Sequence, residues 1–209
     1  MVDALLDVAG EDGTIVVPTY SINRKFVEKT PWDLERNVAW KIKFSDYDPN
    51  STPCWTGKIP DTLWRRPGAV RNSHVSHSIA AIGKDAFELS RDWKSLYNYN
   101  GYLLLLGVVF NRCSSMHLAE EFAQLPDDIL EQITLTPELL DKYPKPWWEV
   151  YRKPYPFFEN IDEPCKEAGI MKISKIGNAE VRLVRLRDLI DLYTKELNTN
   201  PYVYYPIKK

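Results

Sequence analysis

Tyr102-Leu103-Leu104-Leu105-Leu106-Gly107-Val108-Val109-Phe110 passes through Asn111-Arg112-Cys113 into Ser114-Ser115-Met116-His117-Leu118-Ala119-Glu120-Glu121-Phe122. The first part is apolar almost throughout, the pattern of a strand covered on both faces at the centre of a sheet. The last part places Leu118, Phe122 and Leu125 at helical spacing, and Ser114 or Ser115 stands where a cap belongs, so a helix is expected over 116–125. A central strand feeding a helix implies an α/β protein with a central mixed or mostly parallel sheet flanked by helices. The residues just after such a strand are where open α/β folds carry their chemistry.

Working outward, Val2, Leu5, Leu6 and Ala9 share a helical face with Gly10 as the natural stop, and the β-branched run at 14–17 is expected to be a buried strand ending at Pro18. Downstream, a helix is expected over 162–168, two strands over 170–176 and 179–184 turning at Gly177-Asn178, and a closing helix over 187–197. Shorter helices are expected at 61–66 and 84–93, with a buried piece at 79–82. From Thr19 to about Pro60 no period emerges, and Tyr20, Phe26, Trp32, Trp40, Phe44, Tyr47 and Trp55 make it an aromatic-rich functional loop system. At 209 residues, one domain spanning 1–209 is expected.

Composition excludes several function classes. Twenty-seven Lys and Arg against 29 Asp and Glu give a net charge of -2, which lacks the basic excess that phosphate-backbone binding needs, so no nucleic-acid partner is expected. Three cysteines, Cys54, Cys113 and Cys165, form neither a disulfide framework nor a zinc knuckle and point to a reducing, cytoplasmic setting. The longest apolar run is too short to cross a bilayer, and Met1 leads into Asp3 and Asp7 rather than a cationic leader, so no membrane partner is expected.

The candidate bases near neutrality are His74, His77 and His117. Glu120 and Glu121 stand three and four positions after His117 and share its helical face, and a carboxylate beside an imidazole can hold the tautomer a general base needs. The same spacing also describes an ordinary surface pair, and pattern alone leaves both readings open. His74 and His77 lack a third and fourth ligand nearby in sequence, so no metal is expected. A hydrolase built on His117 with Ser114 or Ser115 has no Gly-x-Ser-x-Gly elbow behind it.

Taken in order, several segments resemble landmarks of the aminoglycoside 3-N-acetyltransferase (antibiotic N-acetyltransferase) family. These are Asp3-Ala4-Leu5-Leu6, Gly13 to Thr19, Asp48-Pro49 with Ser51-Thr52-Pro53, Gly57-Lys58-Ile59-Pro60, Arg66-Pro67-Gly68 and Arg71 to Gly83. Leu104 to Val108 followed by Ser114 to Glu120 is similar to the segment carrying the family's catalytic histidine, and a weaker likeness runs from Trp147 through Gly177-Asn178-Ala179. The chain departs from the family pattern at Tyr20, Asn72, Val75 and Cys113, and between Gly83 and Gly101 it is shorter.

The resemblance implies an antibiotic N-acetyltransferase fold and a metal-free transfer of acetyl from acetyl-CoA, the co-substrate, to the 3-amino group of an aminoglycoside or a polyamine-like cationic amine, a reaction of antibiotic resistance. It implies His117 as the base with Glu120 as its partner. Thr19, Arg71, Ser73, Ser114 and Ser115 become the expected coenzyme contacts, and Glu120, Glu121 and Asp48 the expected contacts to the cationic acceptor. Relative to the family pattern the N-terminal strand and loop are expected to be missing. The rival expectation is therefore a truncated, catalytically silent homologue with weak or no coenzyme A binding, and self-association into a homo-oligomer is one way to cover the exposed edge.

Overall fold

The computed structural model describes residues 1–21, 24–26, 31, 42–44, 47–74, 77–132, 150–152 and 156–205. Its contacts separate Met1–Ser95 with Thr136–Pro144 from Leu96–Leu135 with Lys145–Lys209, and each unit has its own core.

In the first unit, α1 (Val2–Ala9) stops where Gly10 takes a φ of 69° and donates its N–H to the Leu6 carbonyl at 2.9 Å. The turn after it delivers β1 (Thr14–Pro18). Then come β2 (Arg24–Phe26), which pairs antiparallel with β3 (Ile42–Phe44), and α2 (Lys58–Trp64), β4 (Val70–Arg71) and β5 (Ile79–Gly83). The sheet order is β1-β5-β4 with both pairings antiparallel, Val16 facing Ala81 and Arg71 facing Ala80. Thr14 faces Gly83, whose φ is +127° and where a Cβ would lie 2.1 Å from the Gly13 carbonyl oxygen, so only glycine fits this crossing. Val2, Val17, Leu63, Trp64 and Ala80 form the core between helices and sheet. The helix expected over 84–93 is two pieces, α3 (Ala86–Leu89) and α4 (Trp93–Tyr99), the latter running on into the second unit's sequence. Asp92 causes the break, because its Oδ1 accepts the Ser95 N–H at 2.7 Å and so caps a new helix.

The second unit holds β6 (Tyr102–Leu106), α5 (His117–Phe122), β7 (Leu130–Gln132) paired antiparallel with β8 (Val150–Arg152), α6 (Asp162–Glu167), β9 (Met171–Ile176), β10 (Ala179–Arg185) and α7 (Leu186–Thr199). The β9–β10 hairpin turns at Gly177-Asn178 as expected, with Gly177 at φ 60°, and places Ile176 opposite Ala179. β6 pairs antiparallel with β10, giving the order β6-β10-β9.

This corrects the expectation of one mixed or mostly parallel central sheet. Among the described residues every named strand pairing is antiparallel. The misleading signal was the unbroken apolar run. Among the described residues β6 is an edge strand, with Tyr102 61% and Leu104 38% exposed while Leu105 faces the core.

α5 is also shorter than expected. Residues 114–116 form a 3₁₀ turn instead of a capped helix start, with the Ser115 hydroxyl 3.1 Å from the Cys113 sulfur, and Ala123 turns extended ahead of Pro126. α7 buries Leu186, Leu189, Ile190, Tyr193 and Leu197 along one stripe and packs against α5. The chain then folds through a 3₁₀ turn at Pro201–Val203 that leaves Tyr204 and Tyr205 fully buried.

Candidate active site

His117 is the first residue of α5, and Glu120 is one turn further on. That spacing brings the His117 Nδ1 to 2.8 Å from the Glu120 Oε2. The pair is not a surface pair, because the Glu120 side chain is 0% exposed while 19% of the His117 side chain reaches solvent. Packing explains how an acidic residue tolerates this position: Leu118 and Ala119 are buried beside it, and the Tyr205 hydroxyl donates to the Glu120 Oε1. A carboxylate can only accept, so against an ionised Glu120 the facing ring nitrogen of His117 is the donor. The Phe158 ring meets the imidazole edge to face, with centroids 4.9 Å apart, and Phe158 in turn packs on Tyr193. A buried carboxylate, an imidazole beside it that partly reaches solvent and an aromatic wall form an arrangement that can serve general acid-base chemistry.

Around this pair, Glu121 is exposed and Ser114 half-buried, whereas Ser115 is buried against Cys113. Burial pushes the Cys113 thiol up from its ordinary range. Both Glu120 oxygens face protein groups, Oε2 the His117 Nδ1 and Oε1 the Tyr205 hydroxyl.

The remaining expected site residues lie in the first unit. Thr19 and Arg71 come together at one end of its sheet, across β5. The Arg71 Nε donates to the hydroxyls of Thr19 at 3.0 Å and Ser78 at 3.2 Å, its Nη2 to the Thr19 carbonyl at 2.6 Å and its Nη1 to the Thr52 carbonyl at 2.6 Å. Thr19 and Ser78 close the ring, Oγ1 to Oγ at 3.1 Å and Ser78 Oγ back to the Thr19 carbonyl at 2.6 Å. The guanidinium lies 4.7 Å over Trp64 and 5.3 Å over Tyr47. Ser73 is exposed and takes no part. Asp48 is exposed and folds its own turn, accepting the Ser51 hydroxyl at 2.6 Å and the Asn50 N–H at 2.9 Å, which together hold its carboxyl below the usual carboxylate range.

His74 and His77 stack edge to face at 5.7 Å, and the His74 Nδ1 accepts the His77 backbone N–H at 3.0 Å. Among the described residues no group of three or more His, Cys, Asp or Glu is placed to hold a metal ion. No described helix is long and apolar enough to cross a membrane.

Three participants escaped sequence reasoning. Ser78 sits in the Arg71 to Gly83 stretch and carried a local signal. Phe158 and Tyr205 are separated from His117 and Glu120 by tens of residues and carried none.

Residues 1–198 match the family described as aminoglycoside 3-N-acetyltransferase. The aminoglycoside N(3)-acetyltransferase VII of Streptomyces paromomycinus is 28% identical, over 91% of this chain and 76% of that protein. The crystal structure of the YokD protein from Bacillus subtilis superposes with a TM-score of 0.72 at 24% identity, covering 96% of this chain and 80% of YokD. That of AAC-IIIb in a binary complex with CoASH gives a TM-score of 0.68 at 17% identity, over 96% of this chain and 81% of that one. The two structures share the α/β fold, and the match over 1–198 settles the classification: the chain belongs to the aminoglycoside 3-N-acetyltransferase family, a family of transferases.

Proposed function

We propose that this chain transfers the acetyl group of acetyl-CoA to the 3-amino group of an aminoglycoside or a similar cationic amine, with His117 as general base. The observation that carries the reading is the His117–Glu120 pair: a buried carboxylate on the Nδ1 of an imidazole whose side chain partly reaches solvent. The relatives' names supply the acceptor class and the CoASH complex of AAC-IIIb supplies the donor.

Each step falls to a group of this chain. The His117 Nε2 takes the proton of the amine as its nitrogen attacks the thioester carbonyl. Glu120 stabilises the imidazolium that results, and the imidazolium returns the proton to the departing thiolate, so that an amide and a free thiol are the products. Aligning amine and base contributes through orientation, where an error near 1 Å costs about a hundredfold in rate.

For the coenzyme, the expected contacts differ in what they can offer. Ser73 and Ser114 have hydroxyls open to a ligand, whereas Thr19 and Ser115 are buried and Arg71 is bonded to Thr19, Thr52 and Ser78. Exposed Glu121 and Asp48 are acidic groups suited to a cationic acceptor. The intact pair favours a working enzyme over the silent homologue. Incubating the purified chain with acetyl-CoA and an aminoglycoside, then locating the new amide by mass spectrometry and NMR, tests the reading. Acetylation at the 3-amino group is expected, and an unmodified aminoglycoside would contradict it.

A further inference from the structure

Tyr205 lies beyond the stretch matched to the family, which ends at residue 198, yet its side chain is fully buried and its hydroxyl donates to the catalytic pair's carboxylate, 85 residues away in sequence. The turn that carries it is firmly built. The Tyr205 N–H bonds to the Pro201 carbonyl at 2.9 Å, the Tyr204 carbonyl accepts the Phe157 N–H at 2.8 Å, and the Val203 carbonyl accepts the Asn160 amide at 2.7 Å. Tyr204 packs edge to face on Tyr193 at 4.8 Å, and Tyr193 on the Phe158 that walls His117. The turn is thus tied both to Glu120 and to the aromatic wall of the imidazole.

We propose that Tyr205 is a positioning residue, which holds the Glu120 carboxylate in the rotation that keeps the proton on the His117 Nδ1 and the lone pair on Nε2. This rests on the reading of His117 as the base. A buried carboxylate one helical turn from its histidine can rotate about its side-chain bonds. With Oε1 anchored by the Tyr205 hydroxyl, Oε2 is left facing Nδ1, at 2.8 Å. Loss of the anchor removes one contact that fixes the carboxylate's rotation and weakens its hold on the Nδ1 proton, which then spends time on Nε2, where it blocks base catalysis. Glu120 is placed by the helix and Tyr205 by the C-terminal turn, so the site depends on two elements that no local sequence pattern links.

The test uses the full chain with imidazole-¹⁵N histidine, His117 being assigned by loss of its signals in His117→Gln. In the wild type the Nδ1 shift is expected to be that of a protonated nitrogen and the Nε2 shift that of a bare one. In Tyr205→Phe the two should move toward each other, and kcat should fall about tenfold to a hundredfold with KM for the amine within about twofold. Tyr204→Phe, a buried neighbour whose hydroxyl does not bond Glu120, should leave the shifts in place. Should Tyr205→Phe fail to fold, Glu120→Gln alone must produce the same tautomer change, and its absence would sink the proposal. With both variants folded, Tyr205→Phe must add nothing on top of Glu120→Gln, since both act on one contact; additive losses in kcat would make Tyr205 a packing residue and overturn the proposal. Wild-type shifts and wild-type kcat in Tyr205→Phe would overturn it as well. If the wild type acetylated no amine, the acetyltransferase reading would fall while the ¹⁵N shifts still decided the role of Tyr205.

Discussion

Replacing Arg71 with Met should loosen the chain around Thr19 and Thr52 while leaving the His117–Glu120 contact unaltered. Arg71 donates to the main-chain carbonyls of Thr19 and Thr52, each at 2.6 Å, and to two hydroxyls, and its guanidinium stacks on Trp64 at 4.7 Å. A hydrogen bond to a charged group contributes about 1.5–3 kcal/mol; the half-buried Thr52 carbonyl can recover part of that from water and the buried Thr19 carbonyl cannot, so the loss should be about 2–4 kcal/mol. Methionine keeps much of the apolar stem, which isolates the hydrogen bonds from packing. Arg71→Lys restores the charge but not the planar fork, and should recover less than half. The assay is urea unfolding followed by the fluorescence of the chain's seven tryptophans, Trp64 among them, with the shift read as a change of midpoint at constant slope. Coenzyme binding separates the two roles open to Arg71. A brace loses stability, whereas a direct coenzyme contact loses affinity at unchanged stability. A Met variant within about 0.5 kcal/mol of wild type would refute the bracing argument.

Two further outcomes follow from buried titratable groups. Burial pushes the His74 imidazole down to about 4, and its Nδ1 accepts the His77 N–H, so the folded chain binds its proton later than the unfolded chain, which does so near 6.5. The neutral ring's contribution is therefore fully present above pH 6.5 and is lost as pH falls toward about 4, by up to roughly 3 kcal/mol at 1.36 kcal/mol per unit. Unfolding measured across that window should fall less steeply in His74→Gln than in the wild type, and equal slopes would contradict the assignment. Among the thiols, Cys113 is raised and Cys165 is pushed up to about 12 by burial and the nearby Asp162, while Cys54 is half-buried. A thiol reagent on native protein should therefore modify Cys54 first, with Cys113 and Cys165 reacting only on unfolding; peptide mapping of early labelling at Cys165 would count against the buried core.

How far the residues alone revealed this architecture depended on the distance over which each signal acts. Gly177-Asn178 between two β-branched runs marks a hairpin, and the stripe from Leu186 to Leu197 marks a helix, because both signals are local. His117 and Glu120 were legible as a pair for the same reason. Their burial was not, since it depends on α7 and the C-terminal turn closing over α5. The direction of strand pairing was equally hidden: Leu103 to Leu106 is as apolar as a buried parallel strand, and only its pairing with Val181 to Val184 shows an antiparallel edge. The resemblance named Thr19 and Arg71 as coenzyme contacts, yet no spacing rule shows that Arg71 directs its donors to Thr19, Thr52 and Ser78. Of the aromatic loop system expected from Thr19 to about Pro60, residues 22–23, 27–30, 32–41 and 45–46 lie outside the described residues.

The central claim is that His117 removes a proton from an attacking amine. It is tested most directly by the rate of thiol release from acetyl-CoA in the presence of an aminoglycoside, measured for the wild type and for His117→Ala, with circular dichroism confirming that both are folded. The account predicts amine-dependent release by the wild type, one thiol per amide formed, and a rate lower by about 10² to 10⁴ in the variant. A folded wild type that releases no thiol when amine is added, or a variant that keeps the full rate, would contradict it.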